Sequence, residues 1–148
     1  MVNPSKPWLK NYPEGVPYEI GPLSHSSLTQ FLDECFDRFR NRKAIEAMGK
    51  FFSYRELDKL SHDFASYLQT LNLEKGARVA LMYPNVIEYL VAMIGTLRAG
   101  YVVVNINPLY TARELEAQLL DSGAAVLVVM ENFAHIYQEA KPIKTIVQ

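Results

Sequence analysis

Three short runs, "RVALMY" from Arg78, "YVVVNI" from Tyr101 and "AAVLVVM" from Ala124, are apolar at nearly every position, and segments of helical period separate them. A strand with one face in water alternates apolar and polar residues, whereas a strand that is apolar throughout is covered on both faces. Strands of that kind alternating with helices specify an α/β fold, a parallel sheet with helices on both faces joined by right-handed crossovers. The spacing predicts helices over Val86 to Ala99 and Ala112 to Ser122, then a short helix near Phe133 to Ala140 leading to a last strand, "KTIVQ". The apolar segment "VIEYLVAMIGTL" is too short and too interrupted to span a bilayer, so it reads as a buried helix.

Upstream the pattern is looser. Pro4, Pro7, Pro13, Pro17 and Pro22 are five of the eight prolines, and they mark residues 1–26 as an irregular arm. Trp8, Tyr12 and Tyr18 could anchor that arm on its own domain or on a partner chain. From Ser27 the residues Leu28, Phe31, Leu32, Cys35, Phe36 and Phe39 recur at helical spacing, one stripe facing a core. The single cysteine lies inside that stripe and reads as a structural thiol. "KAIEAMGKFFSY" reads as a small β-hairpin around Gly49-Lys50. A helix follows from about Tyr54 to Leu71, with Leu57, Phe64, Leu68 and Leu71 inward.

The helix starts share one device. Ser27-x-x-Gln30, Ser53-x-x-Glu56, Asn85-x-x-Glu88 and Thr111-x-x-Glu114 all have the form of a capping box or its Asn variant. Glu56, Glu88 and Glu114 are therefore expected to be architecture and not a set of reacting carboxylates. Gly100 and Gly123 stand where left-handed C-terminal caps belong.

No complete active site is legible. With 15 Lys+Arg against 16 Asp+Glu the net charge is -1, which offers no basic excess to neutralise nucleic-acid phosphates. Neither G-x-G-x-x-G nor G-x-x-x-x-G-K-[ST] occurs, and no G-x-S-x-G elbow. His25, His62 and His135 lack the spacing of metal ligands. One cysteine and no secretory signal in this stretch point to a cytoplasmic setting. "NINPLYT", Asn105 to Thr111, follows the carboxyl end of a strand, where ligand crevices form in open α/β sheets. Asn105, Asn107 and Tyr110 could offer hydrogen bonds there, but Asn and Pro also make this a plain turn, the preferred reading. No catalytic, cofactor-binding or metal-ligating residue is assigned.

Three stretches taken together resemble a known superfamily. "FFSYREL" (Phe51 to Leu57) is similar to the first core motif of the adenylate-forming, AMP-binding enzymes. "LRAGYVVVNINPLYTAREL" (Leu97 to Leu115) is similar to their second, and "KGARVALMYPN" matches the usual spacer. "WLKNYPEGVP", "NPLYTAREL" and "DSGAAVLVVMENFA" narrow the resemblance to the bacterial long-chain fatty-acid–CoA ligases. Ala112 stands where such sequences often have proline, and either suits a helix start. The resemblance implies two-step chemistry: the fatty carboxylate attacks the α-phosphorus of ATP with Mg²⁺ offsetting phosphate charge, and coenzyme A then displaces AMP. It also implies that residues 27–148 are an N-terminal α/β subdomain of a larger AMP-binding domain. The phosphate loop, the Thr-Glu pair near the metal, the ribose-binding Asp, the hinge and the catalytic Lys would all lie downstream. The 148-residue chain is then expected to be inactive and to bind no cofactor, its apolar last strand ending as a cut would. By the same resemblance the arm could pair subunits in a homodimer, and the enzyme could contact the inner membrane face peripherally. The alternatives are a ligase for medium-chain or aryl acids, or a free-standing α/β interaction module without catalysis.

Overall fold

The computed structural model describes residues 6–140 and 145–147, with side chains up to residue 137. A helix α1 (Leu28–Phe39) is followed by a hairpin, β1 (Lys43–Ala47) and β2 (Lys50–Ser53), and by a long helix α2 (Tyr54–Thr70). Then strand and helix alternate: β3 (Arg78–Met82), α3 (Ile87–Arg98), β4 (Val102–Ile106), α4 (Ala112–Ser122), β5 (Val126–Val129), α5 (Ala134–Ala140) and β6 (Thr145–Val147). The four strands β3 to β6 form one parallel sheet in the order β4-β3-β5-β6. Of the expected "KTIVQ" strand, Lys144 and Gln148 lie outside the described residues, as do Met1 to Ser5 of the arm.

The two-sided burial read from the sequence holds for the inner strands β3 and β5, whereas β4, at the sheet edge, keeps Val102 and Asn105 exposed. Ala80, Met82, Leu127 and Val129 point to the face covered by α4 and α5, through Leu115, Leu119, Ala134 and Tyr137. Their neighbours Val79, Leu81, Val126 and Val128 point to the other face, covered by Leu68 of α2 and Ala92 of α3. The step from β3 to β4 carries α3 on one face, and the opposite step from β4 to β5 carries α4 on the other. Reversing both direction and face preserves the hand, so these crossovers share one handedness, as parallel units do.

Helix α3 is apolar nearly all round because it is covered twice. Ala92 packs on the sheet, while Ile94 joins Phe36 of α1 and Leu57 of α2 in a separate outer cluster. Its contact with α2 is very close: a Cβ on Gly95 would lie 2.8 Å from the Ser61 carbonyl oxygen and 2.9 Å from Phe64 Cδ1. Only glycine fits there without moving backbone.

The glycine caps are as expected. Gly100 (φ 83°) donates to Leu97 O while Tyr101 N donates to Thr96 O. Gly123 (φ 61°) donates to Leu120 O while Ala124 N donates to Leu119 O. Both are Schellman closures, and each turns a helix directly into the next strand. Two of the four expected capping boxes form completely. Ser53 N donates to Glu56 Oε2 at 2.8 Å while Glu56 N donates to Ser53 Oγ at 3.2 Å, and Thr111 and Glu114 repeat the exchange at 2.8 and 3.4 Å. At Ser27 the hydroxyl accepts from Gln30 N, but the Gln30 side chain reaches one residue further back, to Ser26 N. The Asn85 box does not form: the N-cap of α3 is Val86, without a side-chain bond, because the helix starts one residue later than that box requires.

Three other expectations shift. The hairpin turn is Met48-Gly49, not Gly49-Lys50, with both residues at positive φ (51° and 74°). A two-residue turn of that hand matches the twist of its strands, and Lys50 pairs with Ala47 as the first strand residue. In the α1 stripe only Phe36 is fully buried, whereas Leu28 and Phe31 stay exposed, because the apolar cover from α2 and α3 falls on Leu32, Phe36 and Phe39. The arm folds on itself: Pro7–Asn11 form a 3₁₀ helix, Tyr12 and Tyr18 stack edge to face at 6.0 Å, and Lys6 pairs with Glu19 at 2.6 Å. Trp8, Tyr18, Ile20 and Leu23 remain exposed.

Gly95→Ala should cost about 1–3 kcal/mol by forcing α2 and α3 apart, read as a lower urea midpoint at unchanged slope. The backbone amide and then the hydroxyl of Ser53 and Thr111 hold the Glu56 and Glu114 carboxyls below their ordinary value of 4.5. A depressed folded value means stability that is present above pH 4.5 and lost as pH falls through the lower folded value. The E56Q/E114Q double variant should therefore lose less stability on acidification below that point than the parent, by thermal melting across that range.

Candidate functional site

The polar cluster that the fold assembles is centred on Arg98, in the last turn of α3. Its side chain is only 6% exposed. Nη2 donates to Asp33 Oδ1 of α1 and to Asp58 Oδ1 of α2, both at 2.7 Å. Nη1 donates to the Asp58 carbonyl at 3.0 Å and to Ser61 Oγ at 3.1 Å, and the guanidinium lies 4.9 Å from the Phe36 ring centre. A planar five-donor group suits this task as an ammonium would not. The arginine at the α3 C-terminus also sits favourably in the helix dipole.

His62, whose place on a helix flank beside Asp63 suggests a solvated or packing role rather than catalysis, is exposed, and its ring faces Asp58 one turn back, Nε2 to Oδ1 at 3.6 Å. Asp33, Asp58 and His62 thus bring ligand atoms within 4.8 Å of one another. That arrangement does not suit a metal ion, because the cationic position between the two carboxylates is filled by Arg98 itself. The sequence carried one usable signal: an arginine at the end of an otherwise apolar, buried helix must find acceptors. It did not reveal which residues supply them, since Asp33 and Asp58 lie 65 and 40 residues away.

His25 joins a second network. Ser24 Oγ lies 2.8 Å from its Nδ1, and its Nε2 lies 3.0 Å from Glu34 Oε2, which gives a hydroxyl–imidazole–carboxylate order. Ser24 and Glu34 face solvent, and Glu34 also accepts from Gln30, whose other side-chain atom binds Ser26. With the His25 ring edge-on to Phe31 at 5.1 Å, this is an extended cap that ties the arm to α1. His135 is exposed on α5, and Cys35 is partly buried.

At the carboxyl edge of the sheet, Asn107 Oδ1 accepts from Leu109 N, and Tyr110 N donates to the Asn107 carbonyl. "NINPLYT" is therefore a turn closed by its own asparagine, as preferred from the sequence. Asn105 accepts from the Tyr89 hydroxyl at 3.0 Å beside a cleft of about 230 Å³ that Tyr83 and Asn85 also line. A larger cleft of about 420 Å³ lies between the hairpin, α2 and α3, walled by Phe52, Leu60, Phe64 and Val91 with Tyr83 and Glu88 at its rim. Glu88, freed of the capping role expected for it, belongs to this cleft. Burial, and then the Glu88 carboxylate, push the Tyr83 phenol above its ordinary value, so it stays a protonated donor. Among the described residues no activated nucleophile or paired acid and base converges on either cleft, and no helix is long and apolar enough to cross a membrane.

An open parallel sheet of order β4-β3-β5-β6, backed by a tightly seamed helix pair, is the frame that carries these clusters and clefts. The model of the AMP-binding enzyme family matches residues 32–148, and the chain belongs to that family. It is 50% identical over 135 residues to a long-chain-fatty-acid–CoA ligase of Yersinia pestis, covering 90% of this chain and 24% of that protein. The ligase of the same description from Escherichia coli O157:H7 is 49% identical over 144 residues, 97% of this chain and 26% of that protein. A benzoate CoA ligase from Burkholderia xenovorans LB400 shares the fold, with TM-score 0.75 at 24% identity, over 81% of this chain and 25% of that one. The chain spans about a quarter of the length of each of these proteins.

Arg98→Met should lower stability by about 1–3 kcal/mol, less than the loss of one partner from a fully buried pair, because Asp33 and Asp58 keep contact with water. Urea unfolding gives the magnitude, and faster proteolysis ahead of α2 should show that α1 has lost its polar tether. If the acid–His cluster were a metal site instead, Mn²⁺ or Ca²⁺ would raise the melting temperature of the wild-type chain; no rise is expected.

Proposed function

We propose that this chain is the N-terminal part of an ATP-dependent long-chain fatty-acid–CoA ligase, which joins a fatty carboxylate to coenzyme A through an acyl-adenylate. The observation that carries this reading is the 50% identity over 90% of the chain to a protein of that description. The match exceeds what a shared fold requires, since the benzoate ligase has the same architecture at 24% identity. A long-chain acid is therefore the favoured substrate over an aryl or medium-chain acid, and a member of a ligase lobe the favoured role over a free-standing interaction module. We take residues 1–26 as the arm and 27–148 as the subdomain, working in the cytoplasm.

Within that enzyme the lobe's role is support. Its residues do not suit ATP, Mg²⁺ or coenzyme A: the acidic cluster found among the described residues is filled by Arg98, and no glycine-rich loop precedes a helix. The groups that bind and activate the substrates belong, on this reading, to the other three quarters of the relatives' length. The lobe contributes a rigid wall whose strand β4 offers a regular edge, with Val102 47% exposed and no charge or proline to blunt it.

The arm favours a second element of the reading, pairing of subunits. It presents Trp8, Tyr18, Ile20 and Leu23, with 52, 61, 89 and 80% of their surface exposed, and an apolar group of that size marks an interaction surface. Peripheral contact with the inner membrane face would use the same residues.

The deciding comparison is acyl-CoA formation from hexadecanoate, ATP and coenzyme A by the 148-residue chain and by a version extended to the relatives' full length. Product from the extended protein alone supports the reading; product from the short chain overturns the scaffold assignment, and product from benzoate in preference to hexadecanoate overturns the substrate. The short chain should also bind a hydrophobic dye and self-associate, by dye fluorescence and light scattering. Deleting Met1 to Pro22 from the extended protein should shift it from dimer to monomer in analytical ultracentrifugation, and an unchanged dimer removes the arm from that role. Loss of vesicle co-sedimentation with no change in dimerisation would assign the arm to the membrane.

A further inference from the structure

We draw no further inference here: the strongest candidate, the apolar cleft between β2, α2 and α3 rimmed by Tyr83 and Glu88, carries none because nothing in the structure shows what covers it.

Discussion

The seam between α2 and α3 is the contact on which the rest of this lobe depends, and two residues one turn apart on α3 make it. Gly95 removes the side chain that would keep the helices apart, and its backbone meets the Ser61 carbonyl and Phe64. Arg98, three residues on and so on the same face, supplies the donors for the polar groups this approach buries. Neither would work alone. Close approach without Arg98 would leave Ser61 and the Asp58 carbonyl poorer in partners, and Arg98 without close approach would be a charge in an apolar layer. Because α3 also packs on the sheet through Ala92 and on the outer cluster through Ile94, the seam sets where the hairpin and α1 can lie.

The sheet side follows from a different constraint. Where the chain passes between a buried helix end and a buried strand, the backbone groups that water does not reach need partners within the protein. Here the helix ends solve this locally. At Gly100 and Gly123 the last carbonyls of α3 and α4 are taken up by the first amides of the connection, and the chain enters β4 and β5 within two or three residues. The beginnings of α2 and α4 are closed just as economically by Ser53–Glu56 and Thr111–Glu114. Of the three carboxylates that attract attention in the sequence, Glu56 and Glu114 are used in building the scaffold, while Glu88 stands at the larger cleft.

Much of this architecture was legible because it is set by local chemistry. Apolar runs of strand length, Thr-x-x-Glu and Ser-x-x-Glu at helix starts, and glycines after helix ends act over a few residues, whatever lies beyond. Where such signals failed, a nearby competitor prevailed. Asn85 lost its cap to a helix that starts after Val86, and the turn moved to Met48-Gly49 because strand twist prefers positive φ at both positions. Leu28 and Phe31 of the α1 stripe stayed in solvent, because amphipathic spacing marks which face can be buried and not how much of it a neighbour covers.

The sequence by itself determined the fold class, the order of elements, the two-sided burial of strands β3 and β5 and, through its motifs, the resemblance to AMP-binding enzymes. Only the tertiary structure decided the Arg98–Asp33–Asp58 cluster, the close approach at Gly95 and the clefts beside Tyr83. The physical reason is range. Caps, turns and periodicity are settled between residues a few positions apart, whereas Arg98 meets acceptors 40 and 65 residues away, and their positions depend on how three helices pack.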